Sequence, residues 1–133
     1  MILSGKRILI VEDNLSNKAI AQTILERAGA HVVTDRWGVE TVERLRRCLP
    51  IDLILLDLML PEQVSGFDVF KRIHQEPGLT QIPVVAVSAA DANTAIPEAQ
   101  ALGFSGYISK PIDFLFFSKQ IQQILSGESL WVS

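Results

Sequence analysis

The chain has 133 residues, 48% hydrophobic and 20% charged, enough for one domain with a proper core and unlike a disordered or membrane-embedded class. A net charge of −3 lacks the basic footprint of a general nucleic-acid binder. Cys48 is the only cysteine, which excludes an internal disulfide and a cysteine metal site and fits a cytosolic setting.

Residues 1–5 read as an N-terminal tail. Arg7-Ile8-Leu9-Ile10-Val11 is an apolar run ending in Glu12-Asp13-Asn14, the pattern of a strand buried on both faces. It is too short for a signal-peptide core, and no apolar run in the chain approaches a membrane span. From Asn14 to Ala28 the pattern is helical. Asn14 is the expected N-cap, Gly29 the stop, and Leu15, Ile20, Ile24 and Leu25 are expected on one face. His31 to Thr34 is a short strand. Gly38 to Cys48 is a second helix, with Val39, Val42 and Leu45 inward, closed by Pro50.

Leu53 to Leu56 is another unbroken apolar run, too short for a typical helix, with Asp57 at its C-terminal edge and Pro61 soon after. Taken alone, Asp57 supports two readings, a loop-capping residue or a functional carboxylate at the edge where open α/β sheets bind ligands. A loop runs from Leu58 to Ser65, then a third helix from Gly66 to Gln75, broken by Pro77-Gly78. Pro83 to Ser88 is the next buried strand. A short helix follows to Leu102, with Pro97 expected in its first turn and Gly103 as its stop. Gly106 to Ser109 is a last strand, ended by Lys110-Pro111. Asp113 is expected to N-cap a final helix to about Leu125, and 127–133 is a C-terminal tail whose apolar Leu130-Trp131-Val132 can fold back on the domain.

Strands alternating with helices give βαβ units and a parallel sheet covered on both faces. The expected fold is α/β, a doubly wound five-stranded parallel sheet in the flavodoxin-like order 2-1-3-4-5. That order brings the ends of strands 1, 3, 4 and 5 to one edge, and with them Glu12, Asp13, Asp57, Ser88 and Lys110. Crowded carboxylates raise one another's cost of ionisation, and a divalent cation relieves it. An all-oxygen set suits Mg²⁺. Asp57 on the middle strand is the natural nucleophile for an aspartyl phosphate, Lys110 can neutralise it at rest and a phosphoryl oxygen afterwards, and Ser88 can donate to another phosphoryl oxygen.

These motifs, Ile10-Val11-Glu12-Asp13-Asn14, Leu55-Leu56-Asp57-Leu58-Met59-Leu60-Pro61, Val87-Ser88-Ala89 and Tyr107-Ile108-Ser109-Lys110-Pro111, resemble a response-regulator receiver domain of two-component signalling over residues 6–126. The resemblance implies Asp57 as phosphoacceptor and Mg²⁺ held by Asp13, Asp57 and the backbone carbonyl of Met59, with Glu12 acting through water. It implies Ser88 as switch hydroxyl, Lys110 as its lysine, and Tyr107 as a switch aromatic that turns inward when Ser88 moves toward the phosphate. It further implies a phosphoryl donor that is a histidine kinase or histidine phosphotransfer domain, a downstream protein of unknown identity, a possible homodimer, and slow self-catalysed dephosphorylation in place of enzymatic turnover. A cytoplasmic protein with no nucleic-acid or membrane partner is expected. No output domain follows residue 133, so a stand-alone regulator or an excised receiver is implied. Asn14 and Asn17 resemble receivers of hybrid kinases and phosphorelays.

The chain departs from the family pattern in three places. The loop Pro61-Glu62-Gln63-Val64-Ser65-Gly66 is one residue longer and lacks the usual Asp-Gly, Ser88 stands where Thr is also common, and Pro97 is expected to make the fourth helix shorter or later-starting. Met59 near the attack path is expected to shield the acyl phosphate and lengthen its life beyond seconds. His31 and His74 read as surface or satisfied polar residues, Cys48 as inert and Trp37 as packing. Phe114, Phe116 and Phe117 cannot all face one core from one helix. Either one or more is exposed for a dimer or kinase contact, or Leu130-Trp131-Val132 covers them. Rival readings are a haloacid-dehalogenase-like phosphatase, whose Asp-x-Asp is missing at both acidic sites, a flavodoxin-type FMN binder, whose phosphate loop is missing after strand 1, and a receiver that signals by binding alone.

Overall fold

The computed structural model describes residues 1–35 and 40–133. In chain order the elements are β1 (Arg7–Val11), α1 (Leu15–Arg27), β2 (His31–Asp35), α2 (Thr41–Cys48), β3 (Leu53–Leu56), α3 (Gly66–His74), β4 (Val84–Ser88), α4 (Ala92–Leu102), β5 (Gly106–Ser109), α5 (Phe117–Leu125) and β6 (Leu130–Val132). The strands form one parallel sheet in the order β2-β1-β3-β4-β5-β6.

The order of the first five strands is the expected one, but the sheet has six strands among the described residues rather than five. The segment Leu130-Trp131-Val132, expected as tail, pairs in register with Gly106, Tyr107 and Ile108. An open strand edge presents unpaired N–H and C=O groups that attract another strand. Gly106 admits it, because a Cβ there would sit 2.7 Å from the Leu130 carbonyl oxygen.

Continuous apolar runs still alternate once folded, since successive strand side chains point to opposite faces. Leu9, Val11, Ile54, Leu56, Val84, Ala86 and Tyr107 face one layer with residues of α2, α3 and α4. Ile8, Ile10, Leu53, Leu55, Val85, Val87 and Ile108 face the other with residues of α1 and α5. Leu3 joins this second layer, fully buried, its N–H donating to the Ala28 carbonyl at 2.9 Å.

Several boundaries shift. In α1 the buried stripe is Ala21, Ile24 and Leu25, while Ile20 lies at its rim and Leu15 is 60% exposed, since Leu15 falls on the far side of the 3.6-residue repeat. The expected starts of the second helix at Gly38 and Val39, and Trp37, lie outside the described residues. Asp91 caps α4 by accepting from the Asn93 N–H at 3.2 Å, so the helix begins at Ala92 and Pro97 falls in its interior rather than its first turn. Asp113 accepts from Leu115 N–H at 2.8 Å, but this caps a preceding turn, and α5 itself begins at Phe117.

Candidate functional site

The register of the sheet builds the site. Val11 pairs with Leu56, so Glu12 and Asp57 leave adjacent strands side by side. The Asp57 N–H donates to the Val11 carbonyl at 3.0 Å and the Glu12 N–H to the Asp35 carbonyl at 3.0 Å, which ties both acids to the sheet as it ends. Ser88 pairs with Ser109, and the Lys110 N–H donates to the Ser88 carbonyl at 2.9 Å. Lys110 then reaches back, its Nζ donating to Glu12 Oε1 and to Asp57 Oδ2, the latter at 3.1 Å. Carboxylate oxygens of Glu12, Asp13 and Asp57 lie within 4.8 Å of one another.

Glu12 and Asp57 are only 5% and 7% exposed, so their charges are largely removed from bulk water. Burial raises the Glu12 pKa above its ordinary 4.5, assisted by the neighbouring Asp57 and opposed by Lys110. Burial alone would depress Lys110, but the hydrogen bond to Glu12 and the two carboxylate charges outweigh it and hold the ammonium above its ordinary 10.5. The cluster carries three acids against one ammonium. The excess negative charge and the hard oxygen donors fit a small divalent cation of the Mg²⁺ kind.

The backbone completes the pocket. The Met59 N–H donates to Asp57 Oδ1 at 3.1 Å and the Asn14 N–H to Glu12 Oε2 at 3.3 Å. Gly66 explains how the long loop still closes on Asp57. A Cβ on Gly66 would lie 2.3 Å from the Asp57 carbonyl oxygen and 2.6 Å from Leu58 Cα, so only glycine allows α3 to start there. Within the loop, Glu62 and Gln63 take φ of 59° and 60°, the left-handed region that costs a side-chain-bearing residue about 1–2 kcal/mol. A short Met59–Ser65 antiparallel bridge and the Leu60 N–H to Val64 carbonyl bond at 3.1 Å hold it.

Ser88 and Tyr107 form a second group. Ser88 is fully buried and its Oγ accepts from the Ala90 N–H at 3.2 Å. Tyr107 is also fully buried, and its hydroxyl donates to the Ala90 carbonyl at 3.0 Å. Burial raises the phenol's pKa, with Asp91 and Asp57 adding to it. The aromatic ring is therefore already turned inward. Lys110 thus bonds Glu12 and Asp57, with Asp13 beside the two acids, while Ser88 and Tyr107 are joined through the backbone of one residue, Ala90.

Sequence reasoning passed over three features. Ala90 carries no side-chain signal because it acts through its backbone. Gly66 was legible only as a helix start. Asp35 and Thr41 form a buried polar pair, Thr41 Oγ1 donating to the carboxylate, at the end of β2. Beside the acids, between α1 and α5, lies a cavity of about 140 Å³ lined by Ile10, Ala21, Leu55, Phe114 and Lys110 among others. The alternative that Leu130-Trp131-Val132 covers the phenylalanines does not hold. Phe114 and Phe116 are 65% and 53% exposed, Phe117 is fully buried, and the tail lies on β5.

The chain belongs to the response regulator receiver domain family, whose model matches residues 8–122. It is 37% identical over 120 residues to the polar-differentiation response regulator DivK of Brucella ovis, a match covering 90% of this chain and 96% of that protein. Among solved structures it is similar to the signal receiver domain of a signal transduction histidine kinase from Syntrophus aciditrophicus, with a TM-score of 0.80, 28% identity and 92% of each chain covered. It shares its fold with the chemotaxis response regulator CheY4 of Vibrio cholerae, with a TM-score of 0.80, 23% identity, and 90% of this chain and 98% of that chain covered. Receiver domains are signalling proteins, and the matches lend no support to the dehalogenase-like phosphatase. Among the described residues no helix is long and apolar enough to cross a membrane.

Proposed function

We propose that Asp57 is the phosphoacceptor, taking a phosphoryl group from a phosphohistidine of a histidine kinase or phosphotransfer domain. A carboxylate oxygen of Asp57 attacks phosphorus, the O–P bond forms, the N–P bond breaks, and the imidazole nitrogen leaves with its electron pair. Lys110, bonded to Asp57 at 3.1 Å, is the supporting observation. Its ammonium offsets the carboxylate at rest and is within reach of a phosphoryl oxygen after transfer. Asp13, Asp57 and the Met59 carbonyl, with Glu12 through water, would hold Mg²⁺, which supplies neutralisation of the transferred group's charge when bound. The Met59 N–H fixes the orientation of the Asp57 carboxylate.

Ser88 is the hydroxyl that turns from Ala90 toward the new phosphoryl group, and Tyr107 follows the same peptide. This reshapes the face formed by α4, β5 and α5, which a downstream partner or a second copy reads. The same groups support slow self-catalysed loss of the phosphoryl group, and a cytoplasmic location goes with a kinase partner. Intact-mass measurement after treatment with acetyl phosphate and Mg²⁺ tests the assignment. The protein gains one phosphoryl mass and Asp57→Asn gains none; equal labelling of the two overturns it.

A further inference from the structure

Resting on the receiver reading above, we propose that the cavity between α1 and α5 binds a small amine with a single-ring or short branched apolar body, and that this ligand competes with Mg²⁺ and so holds the receiver unphosphorylated. The walls come from the sheet and the two helices. Ile10 and Leu55 are register partners, and with Val87 they belong to the core layer that α1 and α5 cover. Ala21 of α1 and Phe117 of α5 complete the lining. All five are buried, yet about 140 Å³ is left between them. Ala21 contributes only a methyl group, where Ile24 and Leu25 on the same buried stripe carry longer branched side chains. Of the other lining residues, Ile20 and Phe114 are 37% and 65% exposed, which marks the mouth.

Size and charge select the ligand. An apolar cavity of about 150 Å³ stays dry and takes a benzene-sized guest. A drug-sized molecule needs about 300 Å³ or more, so the body is one ring or a short branched chain. The polar end of the cavity is Glu12, Asp57 and Lys110, joined because Lys110 bonds both carboxylates, with Asn17 also on the lining. Asp13 lies beside the two acids. Three acids against one ammonium leave negative charge there, which favours a cationic head and disfavours an anion. An ammonium carries three donors for carboxylate oxygens, while the body rests against Ile10, Ala21, Leu55 and Phe117. A neutral apolar guest gains from the walls alone. The head takes the same carboxylate oxygens that would hold Mg²⁺, so each ligand weakens the other by the same factor.

Ligand-observed NMR and titration calorimetry with benzylamine, toluene and benzoate test this, alongside intact mass after phosphoramidate and Mg²⁺ on the same protein. Benzylamine should bind at about millimolar concentration or below, toluene more weakly and benzoate not measurably. Saturating Mg²⁺ should weaken benzylamine several-fold and leave toluene unchanged. Benzylamine should in turn slow the phosphoryl mass gain several-fold. Ala21→Leu fills the cavity and should abolish benzylamine binding while still gaining one phosphoryl mass, which shows that it folds. Ala21→Val, a smaller addition, should weaken binding in the same direction. Benzylamine that binds no better than benzoate, that ignores Mg²⁺, that leaves the labelling rate unchanged, or that binds both variants as tightly as the parent overturns the proposal while leaving the assignment of Asp57 intact. Absence of a phosphoryl mass gain in the parent protein without amine overturns that assignment and the proposal with it.

Discussion

The aromatic cluster beside α3 and the charged cluster at the strand ends are each centred on buried residues, Phe70 and Phe104 in one and Glu12 and Asp57 in the other, and they act on stability in opposite directions. Phe70 stacks on Phe104 with ring centroids 4.2 Å apart, Phe67 meets Phe104 edge-on at 5.9 Å, and His74 lies 4.0 Å from Phe70. The phenylalanine rings there gain from leaving water. At the strand ends, Glu12 and Asp57 are buried as charges with one ammonium between them, and the raised pKa of Glu12 records the unfavourable balance. The first cluster anchors the domain. The second holds like charges together in a state that a divalent cation would relieve.

The largest effect expected is from Phe70→Ala, which empties a fully packed site and should destabilise by about 3–5 kcal/mol in urea unfolding. A loss under about 1 kcal/mol would mean the aromatic cluster is not the anchor. Next, Lys110→Met keeps an apolar stem but leaves two buried carboxylates without their shared ammonium. It should destabilise by about 1.5–3 kcal/mol near neutral pH, the range for hydrogen bonds to charged groups. Glu12→Gln should act in the other direction and stabilise by about 1 kcal/mol at neutral pH, the usual yield of relieving a strained functional site. Destabilisation by this variant would remove the contrast between the clusters.

The smallest expected effects are in the pH dependence, where the two clusters again differ in sign. The folded protein binds the Glu12 proton more tightly than the unfolded chain does, so stability falls as pH rises from 4.5 through the folded value. Burial holds His74 below its ordinary 6.5, so the unfolded chain binds that proton more tightly. Its contribution is full above pH 6.5 and is lost as pH falls through the folded value. Unfolding measured across this range should lose the first slope in Glu12→Gln and the second in His74→Gln. The same slope in both variants would refute the assignment.

Much of the site was legible because parallel topology is a strong constraint on a repeating pattern. Runs such as Ile8–Val11, Leu53–Leu56 and Val84–Val87 admit few arrangements other than buried parallel strands, and the order of those strands brings Glu12, Asp57, Ser88 and Lys110 to one edge. Local chemistry also located Asn14 as a cap, since its side chain accepts from the Asn17 N–H at 2.9 Å. What tertiary structure alone decided are contacts whose partners are remote or are backbone. Whether Leu130-Trp131-Val132 is a tail or a strand depends on the open edge of β5 and on the missing Cβ of Gly106. Pro97 could be placed only once Asp91 had set the start of α4. The left-handed Glu62 and Gln63 have no signature in residues that avoid that conformation, because a loop anchored at Asp57 and Gly66 imposes it from outside. Periodicity reports which side of an element meets the core, but the edges and loop closures are set by atoms that the chain brings together only after the core has formed.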